Sequence, residues 1–188
     1  MRGRVGQYLN LGGVWHLLVN PRLSVPSFRC SNVAQIDYEG LKKRFDLEYA
    51  VFDKDNTLTL PYEHTVPQVQ QQGLDACVRV FGADKVFLFS NSAGSLDDHH
   101  FAEAGLLEKK LGIRVLRHKE RKPGGGKDLA LVTGGKPALV VGDRLFTDVV
   151  FANLNSCVSV LVDPIDETKD NSMVRFVRRV ENGFLKRL

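Results

Sequence analysis

The sequence predicts an α/β domain built on an open parallel sheet, doubly wound with helices on both faces. Three observations carry this. Short apolar runs rich in β-branched and aromatic residues recur through the middle of the chain, helical stretches alternate with them, and polar, acid-bearing segments stand directly after the strongest runs.

The first run is Tyr49-Ala50-Val51-Phe52, read as a strand buried on both faces because it lacks polar alternation. A helix is predicted from Pro67 to about Phe81, since proline suits a first helical turn. The second strand is Lys85 to Phe89. The next helix is placed at Ser95, where Asp98 three residues on completes a capping box. Ile113 to Leu116 is a weaker strand, and a helix follows Gly126. Ala138 to Val141 and Val158 to Val162 are two further strands, with a helix around Thr147 to Leu154 between them.

The ends differ from this body. Residues 1–36 form a basic segment punctuated by Pro21 and Pro26, with Arg2, Arg4, Arg22 and Arg29 ahead of the first acid, Asp37. An acid-free, arginine-bearing start suits an import signal. Tyr8, Leu11, Trp15 and Leu18 equally suit a helix docked on a membrane, where tryptophan and tyrosine favour the interface. Residues 37–188 are read as one domain ending in a basic helix. Its Met173, Phe176, Val177, Val180, Phe184 and Leu188 recur at helical spacing, a stripe expected either to pack on the domain or to lie on an anionic membrane. At 188 residues two full domains would be cramped, and 26% charged residues argue for a folded body. Cys30, Cys77 and Cys157 form no CxxC pair, which argues against a zinc site or a disulfide framework. No apolar run approaches the ~20 residues that cross a bilayer. The net charge of +4 favours anionic partners without choosing among them.

Ligands of doubly wound sheets bind beyond the carboxyl ends of the strands. After the first strand comes Asp53-Lys54-Asp55-Asn56-Thr57, after the second Ser90-Asn91-Ser92, and after the third strong strand Gly142-Asp143, with Asp148 closing GDxxxxD. Lys122-Pro123 lies in between. Two aspartates at i and i+2 can divide nucleophile and general acid between them. Converging carboxylates need a hard cation such as Mg2+, which takes oxygen ligands and clamps phosphate. A hydroxyl and an ammonium offset the charge on the transferring group.

This order of motifs resembles the haloacid dehalogenase (HAD) phosphatase superfamily. The FDKDNTLTLP segment, SNSAG and GDRLFTD, with Asn20-Pro21, Val25-Pro26 and the basic Lys-Pro, resemble its mitochondrial phosphatidylglycerophosphatases of fungi, algae and plants. The resemblance implies a HAD-like (Rossmannoid) sheet with N- and C-terminal helical extensions. It implies Asp53 as the residue phosphorylated and Asp55 as acid, then base. Ser90, Asn91 and Lys122 would bind phosphate. Asp53, the Asp55 backbone carbonyl and Asp143 would bind Mg2+, with Asp148 as direct or indirect support. The substrate implied is phosphatidylglycerophosphate, met by peripheral contact with an anionic membrane on the matrix side of the mitochondrial inner membrane, or in a plastid. A homo-oligomer is left open.

Spacing leaves no room for a folded cap either after the first motif or between Ser90 and Lys122, so the fold is expected to be capless and its site open. A soluble phosphate ester or phosphoprotein is the alternative substrate, and an idle lipid-binding scaffold a third reading. Nucleic acid is not expected as a partner, because the body's basic residues lack interleaved aromatics. Asp97-Asp98-His99-His100 is read as a solvated helix start, and His118 as an exposed loop histidine. Gly124-Gly125-Gly126-Lys127 lacks the nucleotide-loop pattern and is left unexplained.

Overall fold

The structure is a computed structural model that describes residues 20–185, with side chains through residue 183. Among the described residues six strands form one all-parallel sheet. They are β1 (Phe28–Cys30), β2 (Tyr49–Phe52), β3 (Val86–Leu88), β4 (Arg114–Val115), β5 (Ala138–Gly142) and β6 (Val158–Val162), in the order β1-β6-β5-β2-β3-β4. The helices are α1 (Tyr38–Phe45), α2 (Gln68–Phe81), α3 (Ala102–Leu111), α4 (Gly126–Thr133), α5 (Val150–Leu154) and α6 (Ser172–Leu185).

Successive residues of a strand face opposite sides of the sheet, and this alternation builds two cores. Ala50 and Phe52 join Leu88, Leu139, Val141 and Val160 under α1, α2 and α3, through Leu41, Leu74, Cys77 and Leu107. Val51 joins Phe87, Phe89 and Val140 on the other face, covered by Leu129 of α4 and Phe151 of α5. The expected double winding is present, and strands apolar at every position are the natural result of helices on both sides.

The strand order puts β2 between β3 and β5, so the chain leaves β2 toward one side and returns on the other. Phe52 aligns with Leu88 on one flank and Val141 on the other. The Asp53 N–H donates to the Val141 carbonyl at 2.8 Å, and the Phe89 N–H to the Phe52 carbonyl at 2.8 Å. The residues after β2, β3 and β5 therefore emerge at one level, at the sheet's topological switch point.

Several elements depart from the sequence reading. Strand β1, three residues long, was too short to show a pattern, yet it pairs with β6 (Phe28 with Val160). Helix α3 starts at Ala102 and not at Ser95. The Asp98 carboxylate caps it by accepting from the N–H groups of Glu103 and Ala104; only a short 3-10 turn, His99–Phe101, precedes it, and the left-handed backbone angles of His100 and Phe101 keep that turn from continuing into the α-helix. The stretch expected as a helix from Thr147 opens as a five-residue π turn, Leu145–Val149, before α5. The amphipathic N-terminal helix expected around Tyr8, Leu11, Trp15 and Leu18 lies outside the described residues. Among the described residues no helix is long and apolar enough to cross a membrane.

Two glycines explain otherwise odd sequence. A Cβ on Gly142 would overlap the Asp148 carboxyl group, so the Gly-Asp pair exists to let Asp148 lie against the end of β5. Gly125, at φ +82°, opens α4, and a Cβ there would stand 2.7 Å from the Phe89 ring. The glycine run is a tight entry into α4 over the core, not a phosphate loop.

Candidate active site

Beyond β2 the chain turns sharply. Asn56 adopts a left-handed conformation (φ 62°), tolerated by asparagine, and its N–H donates to the Thr59 carbonyl at 2.8 Å. The turn separates Asp53, which faces the sheet edge, from Asp55, which faces outward. The Asp55 carboxylate accepts from the Tyr62 N–H at 2.9 Å and from the Lys54 ammonium at 2.8 Å. Lys54, itself 1% exposed, also reaches the Glu63 carbonyl at 3.1 Å. The lysine between the aspartates thus holds Asp55 and does not point toward Asp53.

Asp53, Asp143 and Asp148 converge: each offers a carboxylate oxygen within 4.8 Å of the others. Lys122, 2% exposed, inserts its ammonium between Asp53 and Asp148 at 2.5 Å from each. Its position is set from β3, because the Asn91 side-chain carbonyl accepts the Lys122 backbone N–H at 2.8 Å. The Ser90 hydroxyl accepts the Ser92 N–H at 3.2 Å and lies 3.1 Å from the Ser92 hydroxyl. Of the residues predicted from sequence, Asp53, Lys122, Asp143 and Asp148 come together directly. Ser90 and Asn91 sit on the adjoining turn, and the Asp55 carboxylate stands outside the acidic triad.

The electrostatics follow from burial. Burial pushes Asp53 up to about 8, with Lys122 pulling it down and Asp148 and Asp143 pushing further up. Burial likewise pushes Asp143 up to about 6 against the pull of Arg178. Burial opposes the charge on Lys122, but Asp148 and Asp53 outweigh it and raise its pKa, so the ammonium persists. Three carboxyl groups converge here, with Lys122 between Asp53 and Asp148 and Arg178 on Asp143, and they form a pocket of oxygen donors. That donor set fits a hard divalent cation, which would favour ionised Asp53 and Asp143.

Four features were missed by sequence reasoning. His118 is buried, not exposed: its ring nitrogens lie 2.8 Å from the Ser90 carbonyl and 2.7 Å from the Glu120 carbonyl, tying the β3 turn to the Lys122 loop. Burial holds its pKa below the usual histidine value. Asn56 donates to Asp170 at 3.0 Å and accepts the Asp166 N–H at 2.9 Å. Arg178 of α6 bonds both Asp143 and Asp170, the latter at 2.6 Å. Glu181 accepts from Arg144 at 3.1 Å and from the Phe146 N–H at 3.0 Å. The one sequence signal for the last two is that Arg178 and Glu181 share a helix face with Val177.

A family model described as mitochondrial PGP phosphatase matches residues 11–166. The chain is 37% identical over 195 residues to an Arabidopsis thaliana protein named phosphatidylglycerophosphate phosphatase 1, chloroplastic/mitochondrial, covering 100% of this chain and 56% of that protein. It is 38% identical to a chloroplastic phosphatidylglycerophosphate phosphatase 1 of Chlamydomonas reinhardtii, over 97% of this chain and 67% of the relative. It is 29% identical to a mitochondrial phosphatidylglycerophosphatase of Saccharomyces cerevisiae, over 93% of this chain and 98% of the relative. The chain thus spans little more than half the length of the Arabidopsis protein and nearly all of the yeast one. No solved structure matches it.

Proposed function

The chain belongs to the mitochondrial PGP phosphatase family, and from that premise we propose that it hydrolyses phosphatidylglycerophosphate to phosphatidylglycerol and inorganic phosphate. The observation that carries this reading is the Lys122 ammonium set between Asp53 and Asp148 at the sheet's switch point, with Asp143 alongside.

An Asp53 carboxylate oxygen attacks phosphorus, and the bond from phosphorus to the glycerol oxygen breaks. Asp55, on the outer side of the turn, gives its proton to that departing oxygen. Asp55 then takes a proton from a water, whose oxygen attacks the phosphorus of the aspartyl-phosphate, releasing phosphate and restoring Asp53. Lys122 and the Ser90-Asn91 turn hold the phosphoryl oxygens, and the ammonium offsets their charge. Asp53, Asp143, Asp148 and the Asp55 backbone carbonyl would hold Mg2+, which supplies positive charge to the phosphoryl oxygens and to the crowded carboxylates. The connection from β2 to α2 carries no folded insert, which leaves the edge open to a head group held in a membrane. The names of the relatives support a mitochondrial setting, with a plastid as the alternative; the matrix side of the inner membrane is part of the proposal.

The test is phosphate release from phosphatidylglycerophosphate in mixed micelles, with Mg2+ or EDTA, beside Asp53→Asn. Release that needs Mg2+ and vanishes in the variant is expected. Turnover of an aryl phosphate without release from the lipid would move the substrate to a soluble ester.

A further inference from the structure

Helix α6 departs from an ordinary amphipathic helix in that charged residues share its buried face. Its inward face holds Val177 together with Arg178 and Glu181, which are 6% and 3% exposed. These charges are buried because each has partners: Arg178 has Asp143 and Asp170, and Glu181 has Arg144 and the Phe146 N–H. The outward stripe, at helical spacing, is Arg175, Phe176, Arg179, Val180 and Gly183. Phe176 is 58% and Val180 42% exposed, and among the described residues neither Arg175 nor Arg179 has a carboxylate partner. The apolar stripe expected to bury itself is therefore split, with its charges inside and its phenylalanine in water.

The stripe begins at the site. The Asn171 side chain, just ahead of α6, donates to the Tyr62 hydroxyl at 3.1 Å, and Tyr62 is 66% exposed while its N–H holds Asp55. An exposed phenylalanine and valine interleaved with two arginines, and an exposed tyrosine beside the start of the helix, form a surface with both apolar and cationic demands. A second copy would set arginine against arginine. An anionic lipid interface meets both demands, taking aromatic and aliphatic side chains at the acyl boundary and guanidinium groups at the phosphates.

We infer that the outer face of α6, continued by Tyr62, is the surface on which the protein sits on an anionic bilayer, with the helix lying in the plane of the interface beside the site. This deepens the proposed function and rests on its reading of the substrate as a lipid.

The experiment uses the full chain with vesicles of phosphatidylcholine plus phosphatidylglycerol, against phosphatidylcholine alone. Binding to the anionic vesicles should fall about tenfold or more in Arg175→Gln/Arg179→Gln and in Phe176→Ser/Val180→Ser. Turnover of a soluble aryl phosphate should stay unchanged in both, which separates lost docking from lost folding. Phe176→Trp in a Trp15→Phe background should be quenched by brominated lipid. Undiminished vesicle binding in both pairs, or an unquenched tryptophan at 176, overturns the inference. So does a lipid-free dimer that Phe176→Ser/Val180→Ser abolishes, since a second copy would then own the stripe. A wild-type chain that ignores the anionic vesicles yet hydrolyses the lipid in micelles would sink this surface alone. Docking intact with the micellar lipid inert would sink the substrate reading.

Discussion

Arg178 fixes the geometry of Asp143 from the far end of the chain. Removing one partner of a buried ion pair strands the other, at a cost of about 3–5 kcal/mol. Arg178→Met strands two carboxylates, Asp143 and Asp170, and should lower the unfolding free energy on that scale in urea titrations. Arg178→Lys should restore only part of it, because one ammonium cannot reproduce the fork that spans both acids. The raised pKa values of Asp53 and Asp143 give a second expectation. A carboxyl whose folded value exceeds its unfolded value stabilises the fold below the unfolded value, and that contribution is lost as pH rises through the folded one. In EDTA, then, these two groups should lower the melting temperature between about pH 4 and pH 8. A divalent cation needs both ionised, so the gap between Mg2+ and EDTA melts should widen across the same window. A gap that is flat with pH would remove the triad as the cation site. At this scale the sequence was legible where chemistry and strand ends coincide, as at Asp53, Lys122, Asp143 and Asp148. It misplaced His118 as an exposed loop residue and was silent on the role of Lys54, since both roles depend on which carbonyl or carboxylate the fold brings opposite.

At the level of elements, the continuous apolar runs were readable because a strand covered on both faces has no polar positions to blur it. Strand β1 escaped because Phe28-Arg29-Cys30 is too short to carry a period, and its arginine breaks the run. Helix α3 was placed early because Ser95 and Asp98 have capping-box spacing, whereas Asp98 reaches forward to Glu103 and Ala104 and back to Gly94. The β5 exit yields a test of its own. Gly142→Ala puts a methyl group where the Asp148 carboxyl lies, and that carboxyl is fixed by Lys122 and by the Arg144 N–H at 3.0 Å. The expected result is a folded protein destabilised by about 1–3 kcal/mol, as for other overpacked sites, with turnover at least tenfold lower. Wild-type turnover would mean that Asp148 can move without consequence.

For the molecule as a whole, the motifs could be ordered from sequence because a doubly wound sheet brings successive strand exits to one edge. What could not be read is the closure of that edge by Asn56, Asp170 and Arg178, since contacts between separate elements, 114 positions apart for Asn56 and Asp170 and 35 for Arg178 and Asp143, leave no local pattern. The last 19 residues, from Asp170 on, hold the partners of Asn56, Asp143 and Arg144. Ending the chain after Lys169 should therefore lower both melting temperature and phosphate release, even on a soluble ester. Full turnover of an aryl phosphate by that shortened chain would reduce α6 to an attachment.

Strand β1 pairs with β6 across 132 positions, with Phe28 opposite Val160. The β1 edge of the sheet therefore cannot form until β6 has been made, and the Arg178 bond to Asp143 must wait for α6. Late, distant contacts of this kind fold slowly. A chain that stopped short of α6 would hold its nucleophile without the contacts that fix the acids around it, so catalytic competence arrives only once α6 has been made.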